Sequence, residues 1–311
     1  MAPMQGFTDF VYRKAHAEII GGIDKYFCPY ISFGKQAKIK NSQIRDILPE
    51  NNTAIPVVPQ VLFSNAGEFR QLCKLLTSYG YSGINLNLGC PYPMVTNRGR
   101  GAAILQNPGL LNEILGIAFH EFEGRFSVKL RSGLESEDEI FPVTEVLNRF
   151  PVSEVIYHPR LATQMYKGEV NAALFRKVKE ISCHPLVFNG DILSEADLLK
   201  IQELVPSQKT WMIGRGVLQN PFLPRLLKGE RIEMKNEKLL LFHEKIFSGY
   251  ASRLEGSGHL LQKMEQFWEY FSASFVNPHK VFKLVKKAGT VSAYNKAVKQ
   301  IFADFLLNVE G

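Results

Sequence analysis

The chain has 311 residues, 45% of them apolar and 22% charged, and its 37 basic against 30 acidic side chains leave a net charge of +7. That length and apolar share suffice for one large globular domain with a smaller companion, and the chain shows no internal repeat or low-complexity segment. Its four cysteines, Cys28, Cys73, Cys90 and Cys183, are widely spaced with no CxxC pair, so neither a dense disulfide framework nor a zinc cluster is suggested. The expected setting is therefore a reducing cytoplasm, with no metal. No run approaches the roughly 20 apolar residues of a membrane-spanning helix, and the N-terminus lacks a signal-peptide pattern, so a soluble monomer without a membrane partner is expected.

In chain order, short β-rich runs alternate with longer amphipathic ones up to about residue 230, the rhythm of repeated βα units around a parallel sheet. Eight strands are expected, ending near Met4, Phe27, Leu62, Asn87, Leu130, His158, Phe188 and Ile213, with helical patterns such as 65–79 and 194–204 between them. Eight units close into a barrel. The first strand is the shortest, because only three residues precede Met4 where a strand usually has about five. From about Asn236 the rhythm stops. LLLFHEKIFSGYASRL, HLLQKMEQFWEYFSASF and AYNKAVKQIFADFLL carry apolar residues at helical spacing, punctuated by GSG at 256–258 and NP at 277–278. The expected organisation is an α/β chain with a (β/α)8 TIM barrel over 1–234, followed by a C-terminal α-helical domain over 235–311. Lys280, Lys283, Lys286, Lys287, Lys296 and Lys299 crowd that last segment. They read equally as a polyanion-binding face and as a solvated helix surface.

A (β/α)8 barrel carries its active site at the C-terminal ends of its strands, commonly with a phosphate site after strands seven and eight. Those ends carry Met4, Gln60, Asn87 with Cys90, Lys129 with Arg131, His158 with Arg160, Asn189-Gly190-Asp191 and Gly214-Arg215-Gly216. One polar residue there is an ordinary cap; a series at equivalent positions is hard to explain as packing. The glycine turns in VFNGD and MIGRG let backbone N–H groups approach a phosphate, and Arg215 adds a cationic donor; taken singly, each also reads as an ordinary turn. Lys129, in SVKLRSG, would point into the barrel mouth. A flavin ring, whose N1 to C2 carbonyl edge gains negative charge on reduction, is one partner for it, and a surface position at the strand end is the alternative. His158 either bonds a cofactor or caps the turn before Pro159. Cys90 stands between a glycine and a proline just past the fourth strand, whereas Cys28, Cys73 and Cys183 read as packing residues.

Together these segments resemble the tRNA-dihydrouridine synthases, FMN enzymes that reduce uridine in tRNA. The resemblance rests on APMQGFTD at 2–9, Gln60 in PQVLF, NLNLGCP at 85–91, RGRGAAIL at 98–105, VKLRSG at 128–133, YHPR at 157–160, VFNGDI at 187–192 and IGRG at 213–216, in family order across most of the chain. The asparagine and GCP of NLNLGCP with the following GAA stretch are the most specific part. YHPRLATQMYKG departs from the commoner histidine-glycine-arginine-threonine start of its loop. EQFWEYFSASF is distantly similar to a helix of the bacterial subfamily acting at position 16 of tRNA, and the target uridine stays open.

The resemblance implies an FMN-binding barrel and a helical tRNA-binding domain. It implies that Pro3, Met4, Gln5, Gln60, Lys129, Asn189, Gly190, Asp191, Gly214 and Arg215 contact FMN, and that Asn87 and His158 line the same pocket. Hydride from FMN N5 would add at uracil C6, and Cys90 would give the proton to C5. NADPH or NADH would reload the flavin without a Rossmann domain, since no GxGxxG follows an expected strand. For tRNA, Lys35, Arg98, Arg100 and Arg131 are the expected binding residues, joined by Lys38, Lys40 and the basic C-terminal helices, with Phe33 and Tyr92 available to stack a splayed base. Three rival readings stand beside this one. They are an FMN barrel acting on a small enone or pyrimidine, a tRNA-binding module without turnover, and an aldolase-type barrel using Lys129 as a Schiff base.

Overall fold

The computed structural model describes residues 1–34, 37–53 and 55–308. The chain forms two compact units. One comprises Met1–Gln5, Lys25–Asp191 and Leu199–Met212, the other Gly6–Asp24, Ile192–Leu198 and Ile213–Gly311.

The first unit is built on parallel strands. β1 (Tyr26–Phe27) pairs with β2 (Val57–Val58), and β3 (Gln60–Val61), β4 (Gly83–Leu88), β5 (Arg125–Gly133), β6 (Val155–Leu161), β7 (Leu186–Asn189) and β8 (Trp211–Met212) form a six-stranded sheet in sequence order. A bridge between Ile31 and Val61 joins the edges of the two ladders. The third expected strand is split into β2 and β3 at Pro59, which has no N–H for the ladder. The first expected strand is corrected: residues 1–4 form none. The backbone of Met1 runs beside β1, donating to Lys25 O at 2.7 Å and accepting from Phe27 N at 3.3 Å.

Side chains on these strands alternate between two faces, as the pleat requires. Phe126 on β5 packs against Phe69 and Phe119 of the helices Ala66–Ser78 and Pro108–Glu121, while Tyr157 and Phe188 pack against Phe175 of the helix Ala172–Ile181. The opposite face closes on itself: Ala2, Phe27, Ile156, Val187 and Met212, from four strands and the leading segment, form one buried cluster. A sheet whose inner side chains meet in this way is curled into a barrel. The helix expected over 65–79 runs from Ala66 to Ser78, with Asn65 capping it by accepting from Glu68 N at 3.0 Å. Cys28 and Cys73 are buried as expected; Cys183 is exposed, on the turn after the helix Ala172–Ile181, and packs no core.

In the second unit the apolar periodicity after residue 235 yields α-helices Lys235–Ala251, Ser257–Phe271, Pro278–Lys286 and Val291–Asp304. Their core is aromatic: Phe242, Trp268 and Phe271 are wholly buried, and Tyr294 nearly so. The helix Phe10–Ala15 belongs to this unit, capped by Asp9, whose carboxylate also accepts from Tyr250 Oη at 2.9 and 3.0 Å. The six lysines noted above are all exposed on the last two helices and the Lys287 cap. Among the described residues no helix is long and apolar enough to cross a membrane.

Two buried histidines make this unit acid-sensitive. Trp268 Nε1 donates to Tyr294 Oη at 2.9 Å, so the tyrosine proton goes to His243 Nε2 at 2.6 Å, and His243 is neutral with an unpartnered Nδ1. His16 Nε2 donates to Pro221 O at 3.0 Å. Burial pushes both imidazoles down to about 3. Their folded values lie below the unfolded one, so the unfolded chain takes up more protons below pH 6.5 and stability falls as pH falls. The expected loss between pH 7 and pH 5 is about 2 kcal/mol for each. Urea titrations should show it, and His243→Phe should remove about half of the slope. An unchanged slope in that variant would contradict the assignment.

Candidate active site

The inner face of the barrel is polar where β3, β4 and β5 meet. Gln60 stands opposite Asn85, and Asn85 opposite Ser127, so the three share one rung of the ladder; two residues further on, Asn87 stands opposite Lys129. Gln60 Nε2 donates to Asn85 Oδ1 at 2.7 Å, Asn85 Nδ2 to Ser127 Oγ at 2.8 Å, and Asn87 Nδ2 to Gln60 Oε1 at 2.8 Å. Asn87 Oδ1 then accepts from the backbone N–H groups of Gly89 at 3.1 Å and Cys90 at 2.9 Å. The row of side chains thus ends on the turn that carries Cys90.

That turn is held from other sides as well. Arg131 Nε donates to Gly89 O at 3.1 Å and its Nη1 to Leu161 O at 2.8 Å, while its guanidinium lies 5.4 Å from the ring centroid of Tyr166. Ala102 N donates to Cys90 O at 3.1 Å. Gly101, at φ +61°, is required there, because a Cβ would come within 2.7 Å of that same carbonyl oxygen. Cys90 is half-buried. Burial raises its thiol above the ordinary range, against the opposing pull of the Tyr92 N–H, Arg131 and Lys129. At neutral pH the group is a thiol and can act as an acid.

Lys129 is partly solvent-accessible but so enclosed that desolvation, helped by the neighbouring Arg131 charge, pushes its ammonium down to about 7. No hydrogen-bond acceptor or counter-ion reaches it among the described residues. The lysine thus stands beside the Arg131 guanidinium with no acceptor for its donors among the described residues.

On the other side of the mouth, His158 and Arg160 end β6 and Asn189 ends β7. Arg160 is fully buried and forks onto Asp191, with Nη1 to Oδ1 at 3.2 Å and Nη2 to Oδ2; Nη2 also donates to Gly168 O at 2.5 Å, and Nη1 lies 3.5 Å from His158 Nε2. Asp191 takes a left-handed φ of +47° and Gly190 a φ of +144°. A Cβ at Gly190 would stand 2.7 Å from Val170 Cγ1 and 3.1 Å from His158 Cδ2. The Asn189-Gly190-Asp191 turn therefore packs its glycine backbone closely against Val170 and His158 and has its carboxylate committed to Arg160. Asn189 Nδ2 ties it to β8 through Met212 O at 2.8 Å.

The structure brings together Gln60, Asn87, Cys90, Lys129 and Arg131 through β3 to β5, and His158, Asn189, Gly190 and Asp191 through β6 and β7. Pro3 and Met4 are half-buried and Gln5 exposed at the end of the leading segment. Arg98 is exposed. Arg100 is engaged within the fold, pairing with Glu68 at 2.6 Å and donating to Phe33 O at 2.9 Å. Lys35 lies outside the described residues. In the second unit, Gly214 and Arg215 open the short helix Arg215–Gln219. Gly214 has a negative φ, and the glycine that close packing requires there is Gly216, whose Cβ would meet Ile192 O at 2.3 Å. Sequence reasoning missed Asn85, Ser127 and Tyr166. For the first two, the signal was the alternation of polar with apolar residues along NLNL and SVKL.

The family model described as Dihydrouridine synthase (Dus) matches residues 1–306. The tRNA-dihydrouridine synthase B of Pasteurella multocida is 27% identical over 230 residues, 73% of this chain and 68% of that protein. The tRNA-dihydrouridine(16) synthase of Salmonella typhimurium is 24% identical over 316 residues, 97% of this chain and 98% of that one. Among solved structures, morphinone reductase is similar in fold, with a TM-score of 0.53 at 10% identity over 75% of this chain and 86% of that one. With the Cys90 turn, the Lys129 strand and the glycine turn after β7 all inside a match that runs nearly end to end, the chain belongs to the dihydrouridine synthase family.

Proposed function

We propose that the protein is a tRNA-dihydrouridine synthase that reduces the C5=C6 bond of uridine in tRNA, using a bound flavin mononucleotide reloaded by NADPH or NADH. The observation that carries this reading is Cys90, a thiol whose protonated form burial favours, held by its backbone on the rim of a barrel beside a lysine that no acceptor reaches among the described residues. The described residues fit a flavin. Lys129 offers ammonium donors that no acceptor among the described residues reaches. Lys129, Asn189 and Gly190, with Pro3, Met4 and Gln5, would hold the group. Gln60 is bonded at both amide ends to Asn85 and Asn87 and braces the wall.

When bound and reduced, the flavin supplies hydride to C6 of the uracil. The chain's own residues do the rest. Cys90 Sγ–H would deliver a proton to C5, the position that gains enolate character, through the C4 carbonyl, once hydride has added at C6. Asn87 and Arg131 fix the turn from which it does so, and Arg160 holds the Gly190 turn through Asp191. A base within folded tRNA must leave its stack to reach this rim, at a cost of a few kcal/mol. Phosphate contacts by exposed cations, Arg98 in the first unit and Lys280, Lys283, Lys286 and Lys287 in the second, would offset it. In this reading the division of labour falls near residue 235, with cofactor binding before it and most of the tRNA contact after it. Purified protein loaded with FMN and given NADPH and tRNA devoid of dihydrouridine should form dihydrouridine. Absence of product would overturn the proposal.

A further inference from the structure

The side-chain row beneath Cys90 has a direction. At its upper end two backbone N–H groups, of Gly89 and Cys90, converge on Asn87, and only an oxygen can satisfy them. Asn87 must therefore turn its amide nitrogen to Gln60, which must answer with Oε1 and turn Nε2 to Asn85, which must answer with Oδ1. Asn85 is left with its nitrogen facing Ser127, whose hydroxyl accepts it. Every amide orientation is dictated from the turn downward. Conversely, a wrong group at the bottom forces a donor against a donor somewhere along the row.

Nothing about barrel packing demands this row. Elsewhere the inner face is filled by the apolar cluster of Ala2, Phe27, Ile156, Val187 and Met212. Asn85 is wholly buried, and Gln60 and Ser127 nearly so. Asn85 is bonded to nothing on the rim, so it has no direct part in binding or chemistry. Polar groups at this depth cost free energy unless all are satisfied, and a satisfied row specifies one arrangement.

We propose that Asn85, anchored by Ser127 and acting through Gln60 and Asn87, is a positioning residue that holds the Cys90 turn in the geometry for proton delivery. The proposal rests on the reading of Cys90 as proton donor. Asn85→Leu keeps the volume but leaves the buried Nε2 of Gln60 without its acceptor, so Gln60 must shift to find another, Asn87 loses its brace and the turn loosens. Asn85→Asp keeps an oxygen toward Gln60 and accepts from the Ser127 hydroxyl in place of donating to it, so the direction survives.

The test is peptide-resolved alkylation of flavin-loaded, full-length protein by iodoacetamide across pH, without tRNA, with exposed Cys183 as internal reference. In Asn85→Leu, Cys90 should react at least about threefold faster, with its pH midpoint lowered toward that of a free thiol, while Cys183 is unchanged. Dihydrouridine formation should fall about tenfold. Asn85→Asp should rescue both readouts. A folded, flavin-bearing Asn85→Leu with unaltered Cys90 rate and midpoint would overturn the proposal. If that variant fails to fold, Ser127→Ala serves, and an unaltered Cys90 midpoint in it would overturn the proposal equally. Full activity in Cys90→Ala would instead sink the proton-donor reading while leaving the alkylation result standing, so the two failures are distinguishable.

Discussion

Cys90→Ala is expected to slow reduction of tRNA uridine by about 10² to 10⁴-fold, the usual worth of a positioned acid, while flavin stays bound. The expectation follows from where the thiol sits. Burial raises it, so at pH 7 it carries a proton to give, and its turn is fixed by Asn87, Arg131 and the Ala102 N–H. Removing Sγ removes the proton but none of these backbone bonds, so the fold and the flavin wall should persist. Cys90→Ser is the informative companion: its hydroxyl is a far weaker acid at the same place, and its rate should stay close to that of the alanine variant. Mixing reduced, loaded enzyme with tRNA under single-turnover conditions and following flavin absorbance would measure both. An unchanged rate would remove Cys90 from the chemistry.

Lys129 carries the second large effect. Without a bound partner its ammonium is pushed down to about 7, first by desolvation and then by Arg131. An electron-rich ligand edge favours the charged form, so binding above pH 7 must take up a proton. Affinity for FMN should then be flat below about pH 7 and fall by up to about tenfold per unit above it. Lys129→Met should bind more weakly and without this slope. Fluorescence titration of flavin into apoprotein from pH 6 to 9 would show both. A wild-type affinity flat across that range would contradict the role given to the lysine.

Much of this was legible in the sequence because it is written in short-range pattern. The strand ends near Asn87, His158 and Phe188 followed from apolar alternation, and the helices after residue 235 from their 3.6-residue period. Cys90, Lys129 and His158 were visible as reactive residues at equivalent strand ends. What stayed hidden depends on register and distance. Gln60, Asn85 and Ser127 share a rung only because β3 pairs with β4 and β4 with β5 in one particular alignment, which no local signal fixes. Arg160 and Asp191 are 31 residues apart, and their pairing appears only once β6 and β7 lie side by side. Residues 6–24 lie within the βα rhythm yet group with the C-terminal helices, because Asp9 and Tyr12 find their partners in Tyr250 and Val217. Arg100 looked free for phosphate in RGRG, but Glu68, 32 residues away, holds it.

The central claim is that this chain makes dihydrouridine in tRNA through Cys90. The most direct test maps dihydrouridine in tRNA from cells lacking the gene, then from cells restored with wild type or with Cys90→Ala. The account predicts that one or more dihydrouridines disappear in the deletion, return with wild type and stay absent with Cys90→Ala. A deletion strain with an unaltered dihydrouridine map, or full restoration by Cys90→Ala, would contradict it.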